Sequence, residues 1–406
     1  MILPLATAAA VQPDEVRLAV VVSSNHGLPG EEPLKYADRD AERVAELLRT
    51  LGRYGAGDVW VVPSADTADL FATLARVTVR AQEVANGGGS ASLLVFYAGH
   101  AGVDGLHLGG EVLPLPDLKS AIRVVPAADR IVVLDACNAG TIARSRGAAL
   151  VDVRDQPVGF APPEDEAWMA SSGPEERSFE VEDRRGALFT HFFLSGARGA
   201  ADLDADQRVT LGELYGFVQV HTAEAAAGLG QLQQPRWAGV LGDFALTDLS
   251  ASATGVRVVG PVADPLLVID ERAQEVVAEV PRGGGANLAL PPGSYQMVAV
   301  RDDGVSLGRL AVPADGWTLW TPAQELGRAS SVRTRGGFYD TTPWGASLGY
   351  ELGLGTAPGR FDAHGGHLSL HRALGGGHAL AIGVGGAFVP TTTQGWVGSE
   401  RRGELS

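Results

Sequence analysis

From Arg17 to about Asp248, short apolar runs alternate with stretches whose apolar positions recur at helical spacing. RLAVVVS (17–23) reads as a buried strand, LKYADRDAERVAELLRTLG (34–52) as an amphipathic helix stopped by glycine, and DVWVV (58–62) as a second strand. A helix over about 67–85 follows. SLLVFYAGH (92–100) and RIVVLDACNAG (130–140) are further apolar runs, each breaking into a turn of small residues. Between them LHLGGEVLP (106–114) predicts a small hairpin turning at Gly109-Gly110. AWMASS (167–172) predicts another strand and GALFTHFFLSGARG (186–199) another helix. Strands that are apolar throughout and separated by helices predict an α/β fold, with a mostly parallel sheet covered on both faces. In such sheets functional groups gather where the strands end at their carboxyl edge.

Past TDLSASATG (247–255), read as a domain boundary, the helical pattern stops. VRVVG, PLLVID, EVVAEV and SYQMVAV predict a small all-β module over 255–322, and ALPPGSYQMVAV (289–300) resembles the Pro-Gly-x-Tyr strand entry of PEGA-type surface modules. In the β-rich tail, 338–406, ASLGYELGLG places Leu348, Tyr350, Leu352 and Leu354 on one side, and HALAIGVGGAF does the same with Leu380, Ile382 and Val384. Such strands resemble those of outer-membrane β-barrels, which need at least about eight strands. The tail supplies three or four, so it reads as an incomplete barrel-like segment, a sheet that pairs with something else, or a small soluble sheet. Residues 1–16 open with MILPLATAAAVQ, which matches the end of a secretory signal in its small-residue run but lacks a basic leader. A signal remnant places the protein in the periplasm or envelope, where the β-rich C-terminus could associate; a disordered N-terminus leaves it in the cytoplasm.

Composition narrows the function. Hydrophobic residues make up 45% and charged residues 20% of the 406, which excludes wholesale disorder. Lysine plus arginine number 32 against 48 aspartate plus glutamate, a net charge of −16, so the basic footprint that nucleic-acid binding requires is missing. The single cysteine, Cys137, rules out an internal disulfide framework and any multi-cysteine zinc site. What remains to be explained is one thiol at the end of an apolar strand.

His100 follows LLVFY and Cys137 follows IVVLDA. If the two strands are parallel neighbours, imidazole and thiol emerge together at one edge, where a base can supply the nucleophilic thiolate. Taken singly, each residue reads most readily as a buried cysteine or a satisfied interior histidine. His26, His107, His191 and His221 have no comparable context and read as structural or surface residues.

With FYAGH and LDACNAG in that order, about forty residues apart, and GALFT downstream, the chain resembles the caspase-like cysteine peptidases of family C14. The likeness covers about residues 17–248 and is strongest to the bacterial and metacaspase-type members. The resemblance implies Cys137 as nucleophile and His100 as general base and acid, with no cofactor needed for this dyad. It implies an oxyanion site at the backbone of Cys137 and of the Gly99-His100-Ala101 turn, where Ala101 replaces the usual glycine. It also implies protein or peptide substrates with arginine or lysine at P1, read by an acidic pocket of Asp135 and an acid opening the first helix. Asp40 matches that acid best, with Asp38 as the alternative. The arginine that the Asp-specific branch carries after its nucleophile is here Asn138. A caspase-like fold kept only as a binding scaffold, or a surface binding protein, is the alternative function.

Two segments add to this reading. In ADLDADQRVTLGELYGFV (201–218), Asp202, Asp204, Asp206, Arg208, Thr210 and Glu213 fall at positions 1, 3, 5, 7, 9 and 12 of an EF-hand loop, with Gln207 where glycine makes the sharp turn. Calcium is one expectation; an acidic helix start is the other. The polar stretch 144–166 carries Arg144, Arg146 and Arg154, which a basic P1 preference would make points of self-processing. A solvated loop explains it equally well.

Overall fold

The structure, a computed structural model, describes residues 15–136, 165–173, 176, 178–181, 184–239, 244–301 and 304–322, and, beyond them, the strands at 327–329, 333–335, 338–340, 344–353, 363–375 and 378–388. The N-terminal segment read as a signal remnant, Cys137 with the turn that follows it, and all but the last few residues of the 144–166 stretch lie outside the described residues.

The apolar runs become the strands β1 (Glu15–Ser24), β2 (Val59–Val62), β3 (Ser90–Ala101) and β6 (Asp129–Asp135). Between them stand α1 (Ala37–Leu51), α2 (Thr67–Asn86), the hairpin β4 (Leu106–Leu108) and β5 (Glu111–Leu113), and α3 (Leu115–Val124). There follow β7 (Glu166–Ala170), β8 (Glu180–Val181), β9 (Gly186–Ala187), α4 (Leu188–Ser195), β10 (Arg208–Thr210), α5 (Leu211–Gly228), β11 (Arg236–Gly239) and β12 (Ala245–Asp248). The main sheet runs β2-β1-β3-β6-β7-β11, parallel except for β11 at one edge.

Period-two alternation explains why the central strands are apolar at every position. Ala19 and Val21 of β1, with Leu94 and Phe96 of β3, face a core shared with α1, α4 and α5. Leu18, Val20 and Val22, with Leu93, Val95 and Tyr97, face a second core closed by α2 and α3. Capping boxes fix the starts of α2, through Asp66 and Asp69, and of α5, through Thr210 and Glu213. The first helix begins at Ala37, three residues later than its periodicity predicts. The carboxylate of Glu180 accepts the backbone N–H of Lys35 (3.0 Å) and Tyr36 (2.8 Å), so the approach to the helix is fixed by a residue far away in sequence.

The strands β13 (Thr254–Val258), β14 (Leu266–Asp270), β15 (Glu275–Val280), β16 (Ala286–Ala289), β17 (Gly293–Arg301), β18 (Gly304–Val312) and β19 (Gly316–Trp320) form an all-β module. Its two sheets, β16-β13-β19 and one containing β15-β14-β17-β18, enclose a core of Val256, Leu288, Val268, Ala278, Met297 and Trp320, among others. The Pro-Gly-x-Tyr entry has a local cause: the Tyr295 hydroxyl donates back to the Pro291 carbonyl at 2.7 Å. In the tail, Trp344–Gly353, Ala363–Gly375 and His378–Phe388 pair as a three-stranded antiparallel sheet. No helix among the described residues is long and apolar enough to cross a membrane.

Candidate active site

His100 sits where β3 changes partners. Up to Ala98 and Gly99 the strand is bonded in parallel to β6 and β1; at His100 and Ala101 it pairs antiparallel with His107 and Leu106 of β4. The turn of small residues expected at 97–102 is therefore strand through Ala101, because the hairpin captures it. Ala101 needs no left-handed backbone conformation there, so alanine costs nothing in place of glycine.

Contacts from two sides hold this strand end. The buried Tyr97 hydroxyl donates to the His100 carbonyl at 2.7 Å and lies 3.0 Å from the His107 carbonyl. Gly99 leaves room for that hydroxyl, since a Cβ at this position would sit 2.3 Å from it. On the other side the β1–α1 loop passes so close that a Cβ on Gly27 would meet the His100 ring at 2.9 Å and the Glu31 carboxylate at 1.9 Å. Glu31 anchors this loop, accepting from Leu28 N–H at 2.6 Å and facing His107 Nδ1 at 2.9 Å. His100 Nε2 is buried with no partner among the described residues.

Beside His100 opens a cleft whose wall includes Gly99, Asp40, Asp135, Glu180 and Phe179. The structure thus brings Asp40, Asp135, Gly99 and His100 together around one cavity. Asp135 ends β6, and its two oxygens accept from Ser178 Oγ (2.7 Å) and Thr190 Oγ1 (2.6 Å). Burial pushes its carboxyl up, against the hydroxyls of Thr190, Ser178 and Ser171. Asp40, on the inner face of α1 and fully buried, accepts the N–H of Ala187 at 2.7 Å. Burial pushes it up to about 7, with the Ala187 bond and the Arg43 charge holding it down. Asp38 points elsewhere: its oxygens accept from Ser23 Oγ and Asn25 Nδ2, both at 2.7 Å, and from Ser64.

Sequence reasoning passed over Glu180, Ser178 and Thr190. Thr190 lies in the GALFT segment and shows its purpose only once α4 is docked against β6. His107 is buried and belongs to the cluster that holds the His100 loop. His191 is buried against Glu279 at 2.9 Å, and His221 meets Phe217 edge to face with ring centroids 4.5 Å apart.

The acidic loop lies apart from the cleft wall. Asp202, Asp204 and Asp206 each bring a carboxylate oxygen within 4.8 Å of the others. Their other contacts are backbone N–H groups of the loop itself, at Gln207, Asp206 and Arg208. Gln207 takes a φ of 68°, the turn that glycine would make without strain. Asp202 Oδ1 is buried and accepts nothing among the described residues. Glu213 is engaged instead in capping α5, accepting from Thr210 N–H (2.9 Å) and Oγ1 (2.8 Å), and its other oxygen accepts from Leu203 N–H.

A mostly parallel sheet flanked by helices, with a histidine and a carboxylate-lined cleft at the carboxyl edge, defines a caspase-like fold. The caspase domain model of peptidase family C14 matches residues 16–236, more than half of the chain, and the protein belongs to this family of cysteine peptidases. Similar solved structures include caspase-1 from Spodoptera frugiperda, at 17% identity over 59% of this chain and 96% of that one with a TM-score of 0.39. The structure of pro-sf-caspase-1 is another, at 15% identity over 58% and 95%, with a TM-score of 0.40. No curated protein matches the chain.

Proposed function

We propose that the protein is an endopeptidase that cleaves after arginine or lysine, with Cys137 as nucleophile and His100 as its proton carrier. The observation that carries the reading is the cleft wall: His100 shares one cavity with the carboxylates of Asp40, Asp135 and Glu180. A guanidinium or ammonium group is the natural complement of such a wall.

In the reaction, the Cys137 thiolate attacks the scissile carbonyl carbon, and backbone N–H groups near Cys137 and Ala101 bear the charge on its oxygen. The C–N bond breaks as the His100 imidazolium gives its proton to the leaving amine. His100 then takes a proton from water, whose hydroxide attacks the thioester and releases the carboxylic acid product and the thiolate. The basic side chain at P1 is anchored by Asp40 and Asp135 while this happens. Arg144, Arg146 and Arg154 satisfy the same P1 requirement, so self-processing in 144–166 follows from this reading.

Calcium fits the acidic loop by its donor set: three clustered carboxylates, one with an unpartnered oxygen. Asp202, Asp204 and Asp206 would hold the ion with the Arg208 carbonyl, and Glu213 would join them only by leaving its cap. When bound, calcium would supply cross-linking of the loop, and no catalytic step.

The test is turnover of a fluorogenic Arg-terminated peptide by the full chain, beside Cys137→Ala and an Asp-terminated control. Turnover that disappears in the variant supports the reading. A folded protein whose Cys137 can be alkylated, yet which cleaves neither peptide, would instead be a binding scaffold.

A further inference from the structure

The β module grips both helices that build the acidic pocket. From β15, the Val276 carbonyl accepts from Arg43 of α1 at 3.0 Å, while Glu275 pairs with Arg39 one turn earlier. The Glu279 carboxylate, also on β15, meets His191 Nε2 and the Arg184 guanidinium, each at 2.9 Å. Its backbone N–H donates to Ser195 Oγ at 3.0 Å. Arg43 links module and pocket, since its other terminal nitrogen lies 3.5 Å from Asp40 Oδ1. On α4, His191 faces the module while its neighbour Thr190 holds Asp135.

We infer that Arg43 is a positioning residue for Asp40 and that β15 holds Arg43 in place, so that the β module governs how well the pocket takes a basic P1 side chain. The inference rests on the P1 reading above and adds to it a regulator from the same chain. Arg43 is the positive group on Asp40. The others facing that carboxyl are Asp135 from β6 and Glu180 from β8, both of which oppose its ionisation, and the N–H of Ala187 from β9, which favours it. Arg43 itself also faces Arg39 on its own helix, and the field of Arg43 reaches His191 and Arg198. Without the guanidinium, Asp40 keeps one backbone donor against two carboxylates. It would then hold its proton to a higher pH, and a cationic ligand would bind only once that proton is lost.

The pocket can be read without turnover, by calorimetric binding of agmatine to the full-length Cys137→Ala protein across pH 6–9. Adding Arg43→Gln is expected to weaken binding about tenfold at pH 6.5 and to move the binding titration up by about one pH unit, with the difference closing by pH 9. Arg43→Lys, which keeps the charge, is expected to restore most of the titration. Glu279→Gln, which loosens β15 without touching the pocket, is expected to move it the same way by a smaller amount. An Arg43→Gln protein that melts normally and titrates as its parent does would overturn the inference, as would a Glu279→Gln protein with an unmoved titration. Agmatine binding that follows Arg43, while the protein with Cys137 intact cleaves no peptide, would sink the catalytic reading and leave this one standing. A parent that binds no agmatine at all sinks both.

Discussion

Two carboxylate clusters in this protein are alike in composition and opposite in construction. Asp135 and Asp40 in the cleft accept hydrogen bonds from Thr190 and Ala187, 55 and 147 positions away in sequence. Asp202, Asp204 and Asp206 accept from backbone groups 2 to 5 positions away. The first cluster is buried and exists only because helices and strands meet; the second is a local loop in contact with water. A buried acid supported from several elements has fixed position and a strong preference for one cationic shape. An exposed acid in its own turn can only gather a hydrated ion, and the fold loses little if it does not.

The comparison breaks most sharply at the proposed reacting groups. Cys137→Ala is expected to lower kcat at least about a thousandfold, and His100→Ala at least about a hundredfold, both measured on an Arg-terminated peptide. A cleft that still turns over without either group would not be the active site. Next in size, Asp135→Asn or Asp40→Asn should raise KM for Arg- and Lys-terminated peptides by about thirtyfold or more, the cost of removing one partner of a buried charge pair. An equal loss on a peptide with an apolar P1 would show that these acids support structure and do not read the side chain.

Protonation sharpens the contrast further. With Asp40 titrating near 7, kcat/KM for basic substrates should climb as pH rises through about 7, because the ionised acid is the form that binds a cation. Stability should run the other way. The folded protein holds the Asp40 proton more tightly than the unfolded chain, so this group's contribution is full below about 4 and fades as pH rises to about 7. Urea midpoints for the parent and Asp40→Asn across that interval measure it; a parent whose stability climbs there while the variant stays flat would contradict the sign. The smallest effect belongs to the loop. Calcium at millimolar concentration should raise the melting temperature by a few degrees, Asp204→Asn should cancel the rise, and kcat should not move. A change in kcat larger than about twofold on adding EGTA would tie the loop to the cleft.

How far the sequence revealed all this depends on how local each feature is. β3 and β6 were plain because strands buried on both faces leave uninterrupted apolar runs, and FYAGH and LDACNAG stand at their ends. Thr210 and Glu213 were read as EF-hand positions, although the capping box they form is written within four residues. The helix α3 was missed, since Pro114 and Pro116 look like turn residues until Pro116 is seen in its first turn. Glu180 was invisible for a stronger reason: its segment has no periodicity, and it acts on backbone groups 145 and 144 positions away. His107 became part of the site only when β4 folded back and set it opposite His100.

That dispersal has a consequence for the life of the chain during its synthesis. The cleft is lined by residues from Leu34 to Ala187, so no pocket exists until the ribosome has released nearly half of the polypeptide and the distant pairings have closed. Long-range contacts of this kind form late, after their loop-closure cost has been met. A nascent chain therefore carries the His100 strand and then the thiol while it has nowhere to bind a peptide. Under the proposed function, a chain still being made presents no assembled cleft in which a peptide could be cut.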